Sequence, residues 1–445
     1  HLLFFTIKIG ISMNPEKNSN LHRIVIVGGG AGGLELATQL GGSLGKSGKA
    51  HITLVDMKLT HVWKPLLHEI AAGTMNINEE ATNYYAHAAK HSYEFVLGCL
   101  ENIIPAEKRI VLNRKPLGKY GSSDENLMLH YDTLILAVGS VSNDFGTAGV
   151  SEHCHYLDSL QQAEIFQQDL LHLYLDAQNS NEPRQLNIGI IGAGATGVEL
   201  SAALTEAKHN FYQYGLNKIL PQNVQITLIE GADRILPALP EKLADHAYKQ
   251  LDRMKIDVLT SKRVAKVDAD KIYFDDGSCI HAELKVWAAG IKAPPVIASL
   301  PGFAKDHMGR IDVYATLQTK ADPNIFAFGD CAHCQPRADE PVLGPRAQVA
   351  SQQASFLAEA LKARLNGQSL PMFNFSDKGS LVSLSKNKAV GELLGQVNVQ
   401  GFIAKSMYVS LYRMHQATIY GYAHAGLLTA KDFVSRKISP KIKMH

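Results

Sequence analysis

Two stretches of this chain share one grammar, and that repetition constrains the fold more than any other feature. RIVIVGGGAGGLELATQL, from Arg23, and NIGIIGAGATGVELSAAL, from Asn187, each read as a short buried strand, a glycine-rich turn and a helix. Each is followed by a strand that ends in an acid, ITLVD at Asp56 and QITLIE at Glu230. Each later reaches an apolar strand that runs into glycine, TLILAVGS at Gly139 and LKVWAAGI at Gly290. Residues 321–330, ADPNIFAFGD, form a further strand with no counterpart in the second copy, so this strand is expected to return the chain to the first sheet. The fold class that follows is α/β, with two Rossmann-like domains, the second inserted into the first. The expected division is a tail over 1–20, the first domain over 21–155 and 296–370, the inserted domain over 156–295, and a C-terminal region over 371–445 that starts at the Pro371 break.

The glycine turns carry the first chemical meaning. Gly28, Gly30 and Gly33 satisfy G-x-G-x-x-G between strand and helix, with Gly29, Ala31 and Gly32 filling the spaces. The first glycine allows the tight turn, the second lets backbone approach a pyrophosphate, and the third permits close packing of helix on strand. The helix N-terminus then faces the phosphate charge. Asp56 stands where a carboxylate accepts from ribose hydroxyls. Gly192, Gly194 and Gly197 repeat the motif, with Ala193, Ala195 and Thr196 between them. Glu230 is the matching acid, and its charge would repel the extra phosphate of NADPH, which favours NADH. Arg234, a little further on, weighs against that preference, and a purely structural strand-end acid is the other reading of Glu230.

Composition sets the limits. The chain has 445 residues with a net charge of +2, which points to neither nucleic acid nor an acidic substrate. Five cysteines with one close pair, Cys331 and Cys334, do not make a secreted disulfide framework, so a reducing compartment is expected. The opening LLFFTIKIGI is apolar but short and is broken by Lys8. No apolar run is long enough to span a bilayer, so contact with a membrane would be at its surface. In the C-terminal region Ile403, Met407, Leu411 and Met414 share one helical face, flanked by Tyr408 and Tyr412. Lys405, Arg413, Lys431, Arg436, Lys437, Lys441 and Lys443 stand in residues 401–445 against Asp432 alone. An amphipathic, basic segment of this kind suits an anionic lipid surface.

Four further pieces, THVWKPLLHEIAAG, VWAAGIKAPP, FAFGDCA and PRAQVASQQA, occur in that order. Together with the two glycine turns they make the chain resemble the two-dinucleotide-binding flavoprotein reductases, and among them the type II NADH:quinone oxidoreductases. GFIAKSMYVSLYRMHQATIYGY at the C-terminus is similar to the bacterial members. The resemblance implies noncovalent FAD in the first domain, NADH as substrate in the second, and two-electron reduction of a membrane quinone without proton pumping. It implies a peripheral enzyme on the cytoplasmic face of the inner membrane, with the homodimer left open. By the same resemblance Asp330 binds a ribityl hydroxyl, Ala347 and Gln348 contact the isoalloxazine, and Leu100, in the strand FVLGCL, meets adenine through its backbone. Gln352 lies one helical turn beyond Gln348 and can face the same site, though an ordinary polar helix residue would look alike. Glu199 matches a family glutamate near nicotinamide and flavin, while helix-start electrostatics is the alternative. Proton delivery to quinone is open to Glu199, Gln348 or His415.

The spacing Cys331-Ala-His-Cys334 also fits a thiol redox pair. It follows directly on Asp330, away from the places where disulfide reductases of this superfamily carry reactive cysteines. A metal site of Cys331, His333 and Cys334 lacks a clear fourth ligand, so no metal is expected and structural thiols are the preferred reading. Sulfide:quinone oxidoreduction, with Cys154 and Cys331, and a slow-turnover NADH-binding redox sensor are the alternative functions.

Overall fold

The computed structural model describes residues 21–75, 81–113, 126–180, 184–385, 388–393 and 397–438. The expected tail over 1–20 lies outside the described residues. Strands β1 (His22–Val27), β2 (Ala50–Asp56), β3 (Glu94–Leu97) and β4 (Thr133–Leu136) begin a first parallel sheet. Strands β5 (Leu186–Ile191), β6 (Val224–Ile229), β7 (Asp257–Leu259) and β8 (Leu284–Trp287) make a second. Strand β9 (Ile325–Ala327) then pairs in parallel with β4, so the chain does return to the first sheet. The spatial orders are β9-β4-β1-β2-β3 and β7-β6-β5-β8. In each sheet the glycine-bearing strand sits where the order reverses, which opens a crevice at its C-terminal end.

The helices cover both faces of these sheets, which is why β1 and β5 are almost wholly apolar rather than alternating. Helix α1 (Ala31–Leu40) packs against the later α5 (Ala347–Leu365) in the first domain. Helix α2 (Leu67–Ala71), from the THVWKPLLHEIAAG segment, instead enters the second core. There Leu67 and Ile70 join Phe166, Leu170 and Tyr174 of α3 (Leu160–Asn179) and Leu200 and Leu204 of α4 (Ala195–Gln213).

Two expectations are corrected. FVLGCL is not one strand: β3 ends at Leu97, and Cys99–Ile104 belongs to a separate antiparallel sheet with Arg109–Asn113 and Leu127–His130. Gly98 makes the break, because a Cβ there would stand 3.0 Å from Leu112 while its N–H donates to the Asp56 carbonyl at 2.9 Å. The C-terminal region, expected as a separate piece, is shared between both cores. It forms an antiparallel sheet of β10 (Ser380–Ser385), β11 (Lys388–Leu393) and β12 (Val397–Gln400), then α6 (Gly401–Tyr420) and α7 (Tyr422–Ile438). Ile419 is buried in the first core, and Val382, Leu384 and Val390 in the second. Apolar burial of this kind stabilises by about 25 cal/mol per Å², so these residues hold the two domains to one lid.

The apolar stripe of α6 does face outward, with Ile403, Leu411 and Met414 respectively 67%, 43% and 53% exposed. Its charge pattern differs from the expectation. Lys405 turns inward, donating to Ser383 Oγ at 2.7 Å, and Tyr408 buries its hydroxyl. Arg413 lies along the helix on Tyr412 and Gln416. Lys431 is exposed, whereas the side chains of Arg436 and Lys437 and residues Lys441 and Lys443 lie outside the described residues.

Candidate active site

The two glycine turns superimpose in their physics. Gly28 and Gly192 both adopt φ near +105°, a conformation open to glycine, and a Cβ on either would collide with the backbone of the neighbouring strand's exit, at Ala137 and at Ala288–Ala289. A Cβ on Gly33 would lie 1.8 Å from the Gly28 carbonyl oxygen, and one on Gly197 1.9 Å from that of Gly192. Gly30 and Gly194, the N-caps of α1 and α4, have nothing within 4 Å where a Cβ would stand. The turn is therefore packed tightly on its inner side and open on its outer side. Ala31 begins α1, and Ala195 and Thr196 sit exposed at the start of α4. Gly32 is used differently, because its missing Cβ makes room for the Phe328 ring.

The strand-end acids have a task that sequence reasoning missed. Asp56 Oδ2 accepts from Gly29 N at 2.7 Å and its Oδ1 from Lys58 N at 2.8 Å. Glu230 does the same, Oε2 accepting from Ala193 N at 2.8 Å and Oε1 from Ala232 N at 2.9 Å. Each carboxylate thus ties a glycine turn to the strand beside it, and each oxygen keeps a lone pair for another donor. Arg234 is spent locally on the carbonyls of Leu239 and Pro237, so its fork is engaged away from Glu230.

At the far end of the first crevice Gly139 has φ +72° with open space on its Cβ side. Ser140 donates to Asp330 Oδ2 at 2.8 Å, and Lys64 donates to the Ser140 carbonyl at 3.1 Å and pairs with Asp158 at 3.2 Å. Lys64 was not singled out in the sequence, where only the motif around it was. Gly290 matches Gly139 in the second domain, but the Phe145 ring lies over its α-carbon. Leu100 is buried and paired with Leu112 in the small antiparallel sheet.

Ala347 opens α5, and its first turn carries Gln348 with Gln352 after it. The helical spacing brings both amides to one face, and that face meets the segment 376–379. Gln348 Nε2 donates to Asp377 Oδ1 and the Gly379 carbonyl, both at 3.0 Å, while its Oε1 accepts from Lys378 N. Gln352 exchanges two hydrogen bonds with the backbone of Ser376.

Glu199 is buried at the meeting of α2, α4, β10 and α6. Its Oε1 accepts from Ser383 N at 2.9 Å and its Oε2 lies 3.5 Å from His68 Nδ1. Burial pushes the carboxyl above its ordinary range, opposed by His68, the Ser383 amide, Tyr408 and Lys405. Burial, with Glu199 and Glu69 close by, likewise pushes the Tyr408 phenol up. The cysteine and histidine candidates for other chemistry are raised by burial or paired. Cys331 and Cys334 are buried free thiols pushed up to about 11 by burial, and Cys154 is pushed up to about 12. His333 is paired with Asp312 at 2.9 Å. Among the described residues no group of three or more His, Cys, Asp or Glu is arranged to hold a metal ion.

A family model for pyridine nucleotide-disulphide oxidoreductase matches residues 22–354. A type II NADH:quinone oxidoreductase of Haemophilus influenzae is 39% identical, over 96% of this chain and 100% of the relative. The chain belongs to the type II NADH:quinone oxidoreductases. The fold agrees with a solved NDH2 from Plasmodium falciparum in complex with NADH, at TM-score 0.80 and 19% identity, over 95% of this chain and 100% of that one. A sulfide:quinone oxidoreductase from Aquifex aeolicus shares the fold less closely, at TM-score 0.70 and 17% identity, over 90% and 92% of the two chains. Family membership gives the doubled turn its meaning: type II NADH:quinone oxidoreductases need one site for FAD and one for NADH.

Two outcomes follow from the acids. Glu230→Gln keeps a hydrogen-bond acceptor but removes the charge, so the preference for NADH over NADPH, measured as the ratio of kcat/KM values, should fall by roughly tenfold. An unchanged ratio would mean that Glu230 serves the turn alone. For Glu199 the folded-state value is raised, so wild-type stability declines as pH rises from the ordinary 4.5 through the folded value, where the unfolded chain has already released its proton. Glu199→Gln lacks this loss. Its Tm relative to wild type should therefore climb across that window, and a pH-independent difference in thermal melts would contradict it.

Proposed function

We propose that NADH bound in the second domain is oxidised across FAD bound in the first, and that the electrons pass to a membrane quinone. The observation that carries this reading is the pair of glycine turns, each tied to a strand-end carboxylate and each open at its second glycine. Such an open cradle accepts a pyrophosphate with no side chain in the way, which is the fit that both dinucleotides require. Gly28 to Gly33, Asp56, Gly139, Asp330, Ala347 and Gln348 would hold the flavin, with the Leu100 backbone at the adenine end. Gly192 to Gly197, Glu230 and Gly290 would hold NADH. Bound FAD would supply the two-electron chemistry.

The chain's own residues position and protect. The N-terminus of α5 at Ala347 places positive potential beside Asp330 and Ser140, favouring an electron-rich ring there. Glu199, whose carboxyl burial pushes above its ordinary range, would supply a proton on the side covered by β10 and α6. Gln348 and Gln352 hold the segment 376–379 over α5, so quinone would reach the site by way of that segment. The thiols take no part: Cys331 donates to the carbonyls of Leu136 and Phe328 inside the core.

Stopped-flow mixing tests the reading. NADH should bleach the flavin and quinone restore it, while sulfide leaves it unchanged. The Cys331→Ser/Cys334→Ser enzyme, with flavin content equal to wild type, should retain quinone reductase turnover within about twofold. Bleaching by sulfide, or loss of turnover in the double variant at full flavin, would move the assignment to thiol chemistry.

The outer face of α6 supports a membrane-surface location, which we place on the cytoplasmic side of the inner membrane. No helix among the described residues is long and apolar enough to cross a membrane, and NADH oxidation would then build no proton gradient of its own. Because the inner face of α6 belongs to the core, truncation before Gly401 would damage the fold, and substitution of the outer face is the cleaner test. Replacing Ile403, Leu411 and Met414 together by serine should weaken binding to anionic vesicles by roughly 100-fold, given about 1 kcal/mol or more per apolar side chain buried in lipid. Ferricyanide reduction by NADH should be unchanged and long-tailed quinone reduction lost. Undiminished sedimentation with vesicles would place the anchor elsewhere.

A further inference from the structure

Beneath the first glycine turn runs a chain of buried polar groups that the mechanism above does not use. Ser351 Oγ, on α5, donates to Glu35 Oε2 on α1 at 2.6 Å. Glu35 Oε1 lies 2.7 Å from His415 Nδ1 on α6, and His415 Nε2 lies 3.0 Å from His61 Nε2. His61 Nδ1 meets the Gly29 carbonyl at 3.0 Å, where the Tyr84 hydroxyl also donates at 2.5 Å. Glu35, His61 and His415 are 1%, 4% and 4% exposed, and Trp63 lies tilted against His415 with ring centroids 4.1 Å apart. A carboxylate and two imidazoles in an apolar setting are costly unless each finds a partner, so so complete a chain has a purpose to serve.

The direction of the chain is set by its end. A carbonyl only accepts, so His61 must present Nδ1–H to Gly29. Burial pushes His61 down to about 3, so it is neutral and its Nε2 is an acceptor. His415 must then donate from Nε2, and its Nδ1 shares a proton with Glu35. The Gly29–Gly30 peptide is planar and trans, with no cis bonds in the described backbone. Pinning the Gly29 carbonyl inward therefore aims the Gly30 N–H outward, into the open space beside the second glycine. Successive hydrogen bonds polarise one another, so donors on the carbonyl also strengthen that N–H as a donor.

The second domain supplies an internal comparison. There the matching carbonyl, of Ala193, accepts from Leu236 N at 2.8 Å, a plain backbone donor of its own domain. One turn is held by a side-chain relay that reaches the C-terminal helix, the other by a local amide. The first serves a group that stays bound, the second a substrate that must leave at every turnover.

We propose that Glu35, His415 and His61 form a positioning relay that orients and polarises the Gly29–Gly30 peptide for the FAD pyrophosphate, so that helix α6 governs flavin retention. The proposal rests on the assignment of FAD to the first turn. Full-length holoenzyme is the material, and the readouts are FAD release on dilution, by flavin fluorescence, and the 31P resonances of the bound pyrophosphate. The Kd for NAD+ reports on the second turn and on folding. His61→Leu and His415→Leu should release FAD at least tenfold faster and shift a pyrophosphate resonance, with the NAD+ Kd unchanged. His61→Asn keeps an N–H donor for the Gly29 carbonyl but loses the link to His415, so its release rate should fall between those of the leucine variant and wild type. Unchanged FAD release and resonances in either leucine variant overturn the relay. So does loss of both ligands together, or an asparagine variant no better than leucine, since either outcome marks general packing. A wild-type protein that carries no flavin and takes up none would instead overturn the FAD assignment beneath it.

Discussion

A carboxylate at the end of the second strand of each domain holds the backbone N–H of the neighbouring glycine turn, and the rest of the architecture is arranged around that bond. Without it the amide side of a turn built mostly of glycine and alanine would have no side chain to hold it. Asp56 and Glu230 supply what the glycines give up. The helix can then sit directly against its strand, because Gly33 and Gly197 leave no atom between them and the opposing carbonyl. An open glycine turn, close packing and parallel sheet order are thus one solution used twice, once in each domain.

The sheets and their turns were legible because their signals are local. A strand, three spaced glycines and an acid at the next strand's end are contiguous in sequence, so residues 23–56 and 187–230 announced themselves. The return of Ile325–Ala327 to the first sheet was legible by subtraction, as a strand with no counterpart. FVLGCL misled because apolar continuity cannot reveal that Gly98 lets the chain turn past Leu112. Charge counting misled at Lys405 for a related reason: helical periodicity assigns faces, but does not say that Glu69 and Ser383 wait on the inner side.

The site residues divide along the same line. Gly28, Gly30, Gly192 and Gly194 could be named from spacing, and they stand where the crevice opens. What surrounds them joins distant parts of the chain, and no window of sequence contains it. Glu35 appears as an ordinary helix residue, His61 as part of a motif and His415 as a proton carrier, until the fold sets the three in a row. Glu199 was visible as a candidate, yet its environment of His68, Ser383 and Tyr408 comes from three other elements.

The sharing of the C-terminal region between both cores has a consequence in time. A ribosome delivers the first glycine turn long before α6. Until Ile419 packs and His415 reaches His61, the first crevice lacks one wall and one end of its buried chain. The nascent chain can therefore fold its inserted domain in part while it is still being made, but it can close the first crevice only after α6 has emerged. Any change that slows the docking of the last helices would show itself as protein made in normal amount and poorly loaded with cofactor.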